Sequence, residues 1–299
     1  MSPLAHRPAV RDDTAAAAGV VIACEERLYG ESSYSKSDLE ADWEELDLAG
    51  DTLVLVDEDQ LVAFGTLDDR GELWRVEAYV HPGRQGRGIG TELTTALEGI
   101  ARSRGARRIQ SGVAEPDEAG QMLLAALGYR KVRVFREMRI ELTAEPDQPH
   151  WPDGLVAGTF DPDRDAQAFH AAHQDAFAGH WEFRPRDFES WRDLAIETER
   201  FDPALWSVVR DGDEIAAGAV CEPGRYGGGW VDALFTRRAW RGRGVGRALL
   251  QDAFVRCWQY GERSVGLGVD ADGTMGAFHL YESAGMRPTL GWVMFEKEL

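Results

Sequence analysis

The chain has 299 residues, 43% of them hydrophobic and 28% charged, which is the composition of a globular protein long enough to form two cores of ordinary domain size. Its formal net charge of −19 argues against a nucleic-acid binder and would attract cationic small molecules, although an acidic surface more often serves solubility alone. No segment approaches the roughly 18 apolar residues of a membrane helix, and the start of the sequence lacks the apolar region of a secretory signal, so a cytoplasmic protein is expected.

The first half of the sequence alternates between helical and strand patterns. An alanine-rich helix is expected over residues 12–29, and Leu39, Trp43 and Leu46 follow at helical spacing. The strands "TLVLV" and "LVAFGTL" flank the acidic turn "DEDQ", which indicates a hairpin. The strand "LWRVEAYV" then enters the glycine-rich turn "QGRGIG" and the helix "GTELTTALEGIARSRG". The strand "RRIQSGV", a short helix ending in "AALGY" and a strand near "KVRVFREMRIEL" complete this half.

The second half repeats this order after a proline-rich segment. Residues 143–154 carry three prolines and little apolar sequence, which predicts a linker between an N-terminal domain at 1–142 and a C-terminal domain at 155–299. Two helices, a hairpin through "RDGD", the strand "WVDALFT" and the turn "RGRGVG" follow. At an offset of 156 residues Trp74 aligns with Trp230 and the glycine spacing is repeated, which indicates an internal duplication.

The glycine-rich turn has the chemistry of a phosphate site. Each copy has three glycines at the same spacing: Gly86, Gly88 and Gly90, then Gly242, Gly244 and Gly246. They leave backbone N–H groups unshielded at the start of a helix, where the positive end of the helix dipole favours an anion. The spacing matches neither a dinucleotide-binding Gly-x-Gly-x-x-Gly nor a phosphate loop that ends in Gly-Lys-Ser/Thr.

The pattern Gln/Arg-x-x-Gly-x-Gly, which begins at Gln85 and again at Arg241, resembles the GNAT acyltransferases in both halves. The resemblance extends over most of the chain through the order of elements, the doubled turn and the run "VDADGTMGAFHLYESAGM". It implies an α/β (α+β) fold of two tandem GNAT domains, each a mixed central sheet flanked by helices. It also implies acetyl-CoA as cofactor, with the pyrophosphate on the amides of the turn and the pantetheine arm between two splayed parallel strands.

The resemblance assigns cofactor contacts to the turn and to the strand before it. In the first copy the residues are Tyr79, Val80, Gln85, Gly86, Arg87, Gly88, Ile89 and Gly90. In the second copy they are Leu234, Phe235, Thr236, Arg241, Gly242, Arg243, Gly244, Val245, Gly246, Arg247, Asp272 and Gly273. The family tends to hold the pantetheine arm with an asparagine where this chain has Gly273, so that contact is expected to differ.

The residue that would supply a proton to the departing thiolate is present only in the second copy. The family supplies it from a tyrosine in "LYE..G", which Tyr281 and Gly285 match here. The alternative interpretation of Tyr281 is a helix tyrosine half buried in packing. In the first copy Leu124 holds the corresponding position and cannot donate a proton. The first domain is therefore expected to keep the fold, and the second to perform the chemistry.

The general base has no family-type glutamate, because Trp74 and Trp230 stand at its usual position. Asp232 is two residues beyond Trp230 and so on the same face of a regular strand, which makes it the candidate base, acting directly or through water. The alternative is an aspartate that faces solvent or pairs with an arginine.

The resemblance places the acceptor pocket at the first helices of the second domain, where "FHAAHQDAFAGHWEFRPRDFESW" is rich in aromatic residues. Such a segment would suit a small-molecule amine, although the helical spacing of Phe169, His173 and Phe177 favours core packing over substrate contact. No metal is expected, because these histidines lack a carboxylate at ligand spacing.

The sequence thus favours an acetyl-CoA-dependent N-acetyltransferase that acts on a small-molecule amine. A catalytically idle CoA-binding or regulatory module is the alternative from another class, since Leu124 and Gly273 depart from the family pattern. The run "AFAGH" and the tandem layout are similar to mycothiol synthase-like acetyltransferases, so mycothiol synthase itself is a narrower alternative.

Overall fold

The computed structural model describes residues 4–44, 46–273 and 276–299. The chain divides into two compact units: unit 1 comprises Met1–Arg136 with Leu290–Leu299, and unit 2 comprises Glu137–Thr289. The predicted architecture, a mixed sheet flanked by helices in each half, is confirmed. The bounds differ from those expected from the sequence, because the last strand of the chain pairs within unit 1 instead of continuing the second copy.

Unit 1 contains the first copy of the repeated order and receives the last strand. Its elements are β1 (Ala5–Arg7), α1 (Thr14–Tyr29), α2 (Lys36–Glu44), α3 (Leu48–Asp51), β2 (Thr52–Asp57), β3 (Gln60–Arg70), β4 (Leu73–Val80), α4 (Ile89–Ser103), β5 (Arg108–Ala114), α5 (Glu118–Ala126), the first part of β6 (Arg130–Glu141) and most of β12 (Arg287–Glu298).

The sheet of unit 1 runs in the order β1-β2-β3-β4-β5-β12, and among these strands, as far as the structure describes them, only the β4–β5 pair is parallel. On one face α4 packs through Leu93 and Leu97, both fully buried, because its apolar residues recur every three to four positions. Helices α1 and α2 cover the other face, where the rings of Trp43 and Phe64 meet edge to face at 6.0 Å. Strands β4 and β5 lie inside the sheet, because each of them pairs with a neighbouring strand on both sides.

Unit 2 contains the second copy. Its elements are the end of β6, then β7 (Val156–Thr159), α6 (Pro162–Phe177), α7 (Phe188–Ala195), β8 (Ser207–Asp211), β9 (Glu214–Arg225), β10 (Gly228–Thr236), α8 (Val245–Tyr260), β11 (Ser264–Asp270) and α9 (Ala277–Ser283).

The sheet of unit 2 follows the order β11-β10-β9-β8-β7, again with one parallel pair, β10–β11. Phe169 of α6 is fully buried, and its ring meets that of Phe235 in β10 at 5.1 Å, as the helical spacing predicted. The register between β9 and β10 shifts between Val231 and Ala233, so β10 carries a β-bulge there. A bulge inserts one residue and breaks the alternation of faces along a strand.

Candidate active site

The turn of unit 1 has a backbone that only glycine adopts freely. Gly86 and Gly88 have φ values of 74° and 81°, and Gly88 is the residue before α4. The Gln85 side chain donates through Nε2 to the carbonyl oxygen of Val80 at 3.0 Å, which ties the turn to the end of β4. The first N–H groups of α4 have no acceptor within the helix, so they are available to an anion.

The turn of unit 2 has the same geometry. Gly242 and Gly244 have φ values of 74° and 85°, and Gly244 precedes α8. Arg241 takes the place of the glutamine: its Nε donates to the carbonyl oxygen of Thr236 at 2.8 Å, and its second amino group donates to that of Ala176 at 2.9 Å. The side chains of Gln85 and Arg241 thus shape the turn, and the backbone amides are the groups that the turn offers to an anion.

The third glycine of the unit 1 turn serves packing. A Cβ on Gly90 would lie 2.8 Å from Leu123 Cδ1, so the small residue lets α5 approach α4. A Cβ on Gly246 would lie 3.4 Å from Leu280 Cδ2, which is an ordinary contact. Ile89 and Val245, also predicted cofactor contacts, are buried, so only their backbone groups face a ligand.

Unit 1 contains a cleft of about 480 Å³ between β4 and β5. The turn, the ends of both strands, α1 and the returning β12 form its walls. The lining residues are Cys24, Glu25, Leu28, Tyr29, Ala78, Tyr79, Val80, Gln85, Gly86, Gly88, Gly90, Thr91, Thr94, Ser111, Gly112, Val113, Ala114, Asp117, Ala119, Gly120, Leu123, Leu124, Leu290 and Trp292. An elongated ligand with an anionic end fits this lining, because glycine amides lie at the turn and apolar side chains line the strands.

The parallel strands part at an acidic residue in both units. Among the described residues the last parallel pairs are Val76 with Ser111 in unit 1 and Val231 with Leu267 in unit 2. The next residue is Glu77 in β4 and Asp232 in β10. Glu77 lies in regular register opposite Thr66 of β3, whereas Asp232 is the bulged residue of β10. The two carboxylates are therefore equivalent in the sheet.

This register corrects the alignment of the two copies. Trp74 pairs with Ile109, whereas Trp230 pairs with Gly266, the counterpart of Gln110. Trp74 is fully buried and donates through Nε1 to Gly71 O at 2.9 Å, so it belongs to the core on the α4 side. The bulge adds one residue to β10, and a constant offset of 156 missed the equivalence of Glu77 and Asp232 for that reason. The same bulge removes the strand alternation that placed Asp232 on the face of Trp230.

Glu77 is a titratable residue next to the cleft that the sequence pattern did not single out. Its side chain is exposed to solvent, yet desolvation by the surrounding protein raises its pKa to about 7, assisted by the negative charge of Asp42. Glu77 is not itself among the residues that line the cleft, but the next residue, Ala78, is. Tyr79, two residues on and so on the same face, lines the cleft, and the charge of Glu77 is the largest cause that raises its pKa. The signal in the sequence was the single acidic residue of the strand "LWRVEAYV".

Cys24 provides a chemical probe of the unit 1 cleft. It is the one partly exposed cysteine of the three, and desolvation raises its pKa to about 11. At pH 8 about one thiol in a thousand is then a thiolate, so we expect alkylation by iodoacetamide on the order of 100-fold slower than for free cysteine. Mass spectrometry of the wild type against Cys24→Ser measures the rate. Alkylation as fast as for free cysteine would contradict the assigned environment.

Tyr281 lies on α9 in unit 2, and only 8% of it is exposed. Burial raises its pKa to about 12, so the phenol is protonated at neutral pH and can donate a proton. No hydrogen bond joins its hydroxyl to the parts of the chain that the structure describes. The neighbouring Leu280 packs against the first turn of α8. In unit 1 the corresponding Leu124 is buried and lines the cleft.

The remaining predicted contacts belong either to the strand, turn and helix start or to the segment that follows β11. Phe235 is buried in the core, and Arg247 donates to Ser283 Oγ at 3.3 Å, whereas Arg87 and Arg243 are exposed. Asp272 and Gly273 follow β11 in a turn in which the Asp272 N–H donates to Asp270 Oδ1 at 3.0 Å. The segment "TM" that follows Gly273 lies outside the described residues.

The aromatic segment of α6 continues the core of unit 2 towards the surface. His173 packs against Phe177 at 4.7 Å, and desolvation lowers its pKa to about 4, so it is neutral at pH 7. The ring of His180 lies 4.6 Å from that of Phe177. Within residues 4–44, 46–273 and 276–299 no group of three or more His, Cys, Asp or Glu side chains has the arrangement of a metal site.

The family model for the acetyltransferase (GNAT) family matches residues 20–129 and 166–286, which together make up more than half of the chain. The chain belongs to the GNAT acetyltransferase family. It is therefore an acyltransferase that uses acetyl-CoA, and the glycine turns and the cleft of unit 1 fit that cofactor. In the part of the chain that the structure describes, no helix is both long enough and apolar enough to cross a bilayer.

Several relatives resemble this GNAT protein over most of its length. A mycothiol acetyltransferase of Geodermatophilus obscurus is 34% identical over 74% of this chain and 71% of its own. A second, from Thermobispora bispora, is 30% identical over 82% of this chain and 83% of its own. A GCN5-related N-acetyltransferase of Sphaerobacter thermophilus superimposes with a TM-score of 0.90 at 33% identity, covering 100% of this chain and 96% of its own.

The tandem arrangement also has a structural counterpart. A tandem GNAT protein from the clavulanic acid biosynthesis pathway, solved without acetyl-CoA, gives a TM-score of 0.78 at 18% identity over 99% of this chain and 98% of its own. At that identity the comparison supports the fold alone.

Proposed function

We propose that this protein acetylates the amino group of a small molecule, and that unit 2 performs the transfer with Tyr281 as general acid. The observation that carries the proposal is the Tyr281 phenol, held by a buried ring on the helix that packs against the phosphate-binding turn. The protonated state of this phenol at neutral pH suits a proton donor.

The roles of the residues follow from the needs of the reaction. Acetyl-CoA supplies an acetyl thioester, whose C–S bond breaks as the amine nitrogen bonds to the acetyl carbon. The backbone amides at Gly244 and the start of α8 hold the pyrophosphate, supported by the helix dipole. Tyr281 gives its proton to the sulfur, and Asp232 is the candidate base that receives the proton of the amine. Asp232 is exposed and stands where β10 and β11 part, which favours this role.

We expect Tyr281→Phe to lower turnover by at least ~10-fold, because the variant keeps the ring but removes the proton donor. Thiol release from acetyl-CoA, followed over a panel of amines, measures the effect. Tyr260→Phe is the matched control, since Tyr260 is 49% exposed at the end of α8. Equal turnover of wild type and Tyr281→Phe would contradict the role of Tyr281, and no turnover with any amine would contradict the proposed function.

The relatives favour one narrower candidate. They are mycothiol acetyltransferases, so acetylation that yields mycothiol is the first specific reaction to test. The net charge of −19 agrees with a cationic acceptor but does not distinguish one cationic amine from another. Family membership favours an enzyme over an idle CoA-binding module, and turnover of any amine decides between those two.

A further inference from the structure

We infer that the cleft of unit 1 is a second site of acetyl transfer, that its acceptor is a cationic primary amine, and that Glu77 is its base. The inference goes beyond the proposed function, which places the transfer in unit 2. It also reverses the expectation, drawn from Leu124, that the first domain performs no chemistry. It rests on the cleft, on the position of Glu77 in β4, and on the charges around that position.

The cleft of unit 1 has the parts that a GNAT cofactor needs. Gly86 and Gly88 line it at the turn, and Gly112 to Ala114 of β5 line it where the parallel pairing has ended. Its volume of about 480 Å³ lies within the range of small-molecule pockets, roughly 300–1,000 Å³. Unit 1 therefore retains a formed site for a pantetheine arm with a phosphate end.

The β12 strand completes the cleft on the side of the acceptor. Leu290 and Trp292 line it, and the Tyr29 hydroxyl of α1 donates to the carbonyl oxygen of Gly291 at 3.1 Å. This hydrogen bond joins the end of α1 to β12 within unit 1. The wall is thus built from two elements far apart in the sequence, which argues for a site and against a packing defect.

Glu77 stands at the inner end of the strand separation. It is the first residue of β4 beyond the last parallel pair, and regular pairing with β3 fixes it on the face of Tyr79. Trp74 and Val76 lie on the opposite face, in the core with α4. No hydrogen bond or ion pair within the described residues engages the Glu77 carboxylate, so it is available to an acceptor directly or through a water molecule.

The charges around Glu77 favour an ammonium group. Asp42 on α2 and Asp68 on β3 raise its pKa, while Arg75 on β4 and Arg70 on β3 lower it. Arg70 is held by Asp68, with its Nε donating to Asp68 Oδ2 at 2.6 Å.

On the α1 side, Glu25 lines the cleft and accepts from Ser32 Oγ at 2.6 Å, and Asp42 accepts from the Tyr34 hydroxyl at 2.8 Å. The charge of Glu77, burial and these two carboxylates raise the pKa of the Tyr79 hydroxyl, which keeps it protonated. The surroundings of the cleft on this side are therefore acidic, and an ammonium ion in place would relieve the repulsion among the carboxylates.

The proton balance needs no tyrosine at Leu124. Glu77 takes one proton from the bound ammonium group, which frees the nitrogen lone pair for attack on the acetyl carbon, and the nitrogen releases its second proton to solvent once the N–C bond has formed. The electron pair of the broken C–S bond stays on the sulfur, because a thiol with a pKa of about 8.5 is an adequate leaving group as thiolate near pH 8. Solvent then supplies the proton of the thiol. A leucine at position 124 thus lacks a proton to donate but does not prevent acetyl transfer.

We expect Glu77→Gln to lower turnover of at least one amine by about 100-fold, the scale of a lost general base. The assay follows thiol release by the full chain with acetyl-CoA and glucosamine, lysine or spermidine. The wild-type rate should rise with pH between about 6 and 8 as Glu77 loses its proton, and Glu77→Gln should keep only the part of this rise that comes from ionisation of the amine itself. Glu72→Gln is the matched control, since Glu72 is exposed before β4 and pairs only loosely with the exposed Arg107.

A second readout does not depend on turnover. Acetyl-CoA should protect Cys24 from alkylation in the wild type and, within about twofold, in Glu77→Gln, because the variant keeps the turn and the strands. The inference would be overturned if Glu77→Gln turned over every amine at the wild-type rate. It would also be overturned if acetyl-CoA left the rate of Cys24 alkylation unchanged. Turnover lost only in Tyr281→Phe would overturn this inference and leave the proposed function standing. No thiol release from the wild type with any amine would overturn both.

Discussion

A chain that ends at Thr289 will have an unfolded unit 1 and a folded unit 2. Residues Trp292–Glu298 pair with β5 along its whole length, and the deletion exposes both the edge of β5 and the core beneath it. Unit 2 comprises Glu137–Thr289, so it keeps all of its own strands.

The expected loss of stability in unit 1 follows from what β12 buries. Val293 and Phe295 are 2% and 6% exposed in the core with α4, and each contributes about 1.5–3 kcal/mol by burial. Lys297 donates to Glu98 at 2.7 Å, and Glu296 accepts from the buried Gln110 at 2.9 Å, so the deletion also leaves polar groups in the core without partners. Together these losses reach the roughly 5–15 kcal/mol that a whole domain possesses.

Hydrogen–deuterium exchange resolved by peptide measures this result. Peptides from β2 to β5 should lose their protection, whereas those from β8 to β11 should keep it. A chain that lacks only Leu299 is the matched control, since it loses one backbone hydrogen bond, to Arg107 O at 2.8 Å, and keeps β12. Protected amides in β5 of the shortened chain would show that unit 1 folds without its last strand.

The duplicated architecture was predictable because its signals are local. The turn at Gln85–Gly90 and its copy at Arg241–Gly246 combine glycine with the change from strand to helix periodicity. The observed geometry of both turns agrees with this pattern. The burial of Phe169 followed in the same way from its helical spacing. Patterns of this kind depend on neighbours within a few residues, so a single sequence carries them.

The features that the sequence did not reveal depend on distant pairing. Nothing near Leu290 shows that the strand returns to β5, because a partner strand leaves no mark on the local pattern. The bulge at Asp232 shifted the alignment by one residue, which paired Trp74 with Trp230 and concealed Glu77. The raised pKa of Glu77 likewise arises from desolvation and from the charge of Asp42 on α2, which precedes Glu77 by 35 residues.

Acetyl-CoA binding will be lost separately in each unit when its turn receives a negative charge. In Gly88→Glu and Gly244→Glu the carboxylate stands at the start of the helix, where it opposes the phosphates that the backbone amides would hold. A like charge in contact costs several kcal/mol, so we expect affinity in the altered unit to fall by more than about 100-fold.

The alanine variants separate the charge from the backbone. Neither Gly88 nor Gly244 has an atom within 4 Å of the position a Cβ would take, so a side chain meets no clash there. Their φ values of 81° and 85° make any other residue strained by about 1–2 kcal/mol, which Gly88→Ala and Gly244→Ala share with the glutamate variants. The difference between glutamate and alanine at one position therefore measures the electrostatic contribution.

Calorimetric titration with acetyl-CoA reports the number of sites as well as their affinity. The wild type should bind two molecules per chain, and each glutamate variant one. Protection of Cys24 should disappear in Gly88→Glu and persist in Gly244→Glu, because Cys24 lines the cleft of unit 1. A wild type that binds one molecule, lost in only one of the two variants, would assign the cofactor to a single unit. Both units have a turn with exposed backbone amides, so the position of the introduced glutamate, at residue 88 or at residue 244, decides which unit still binds the cofactor.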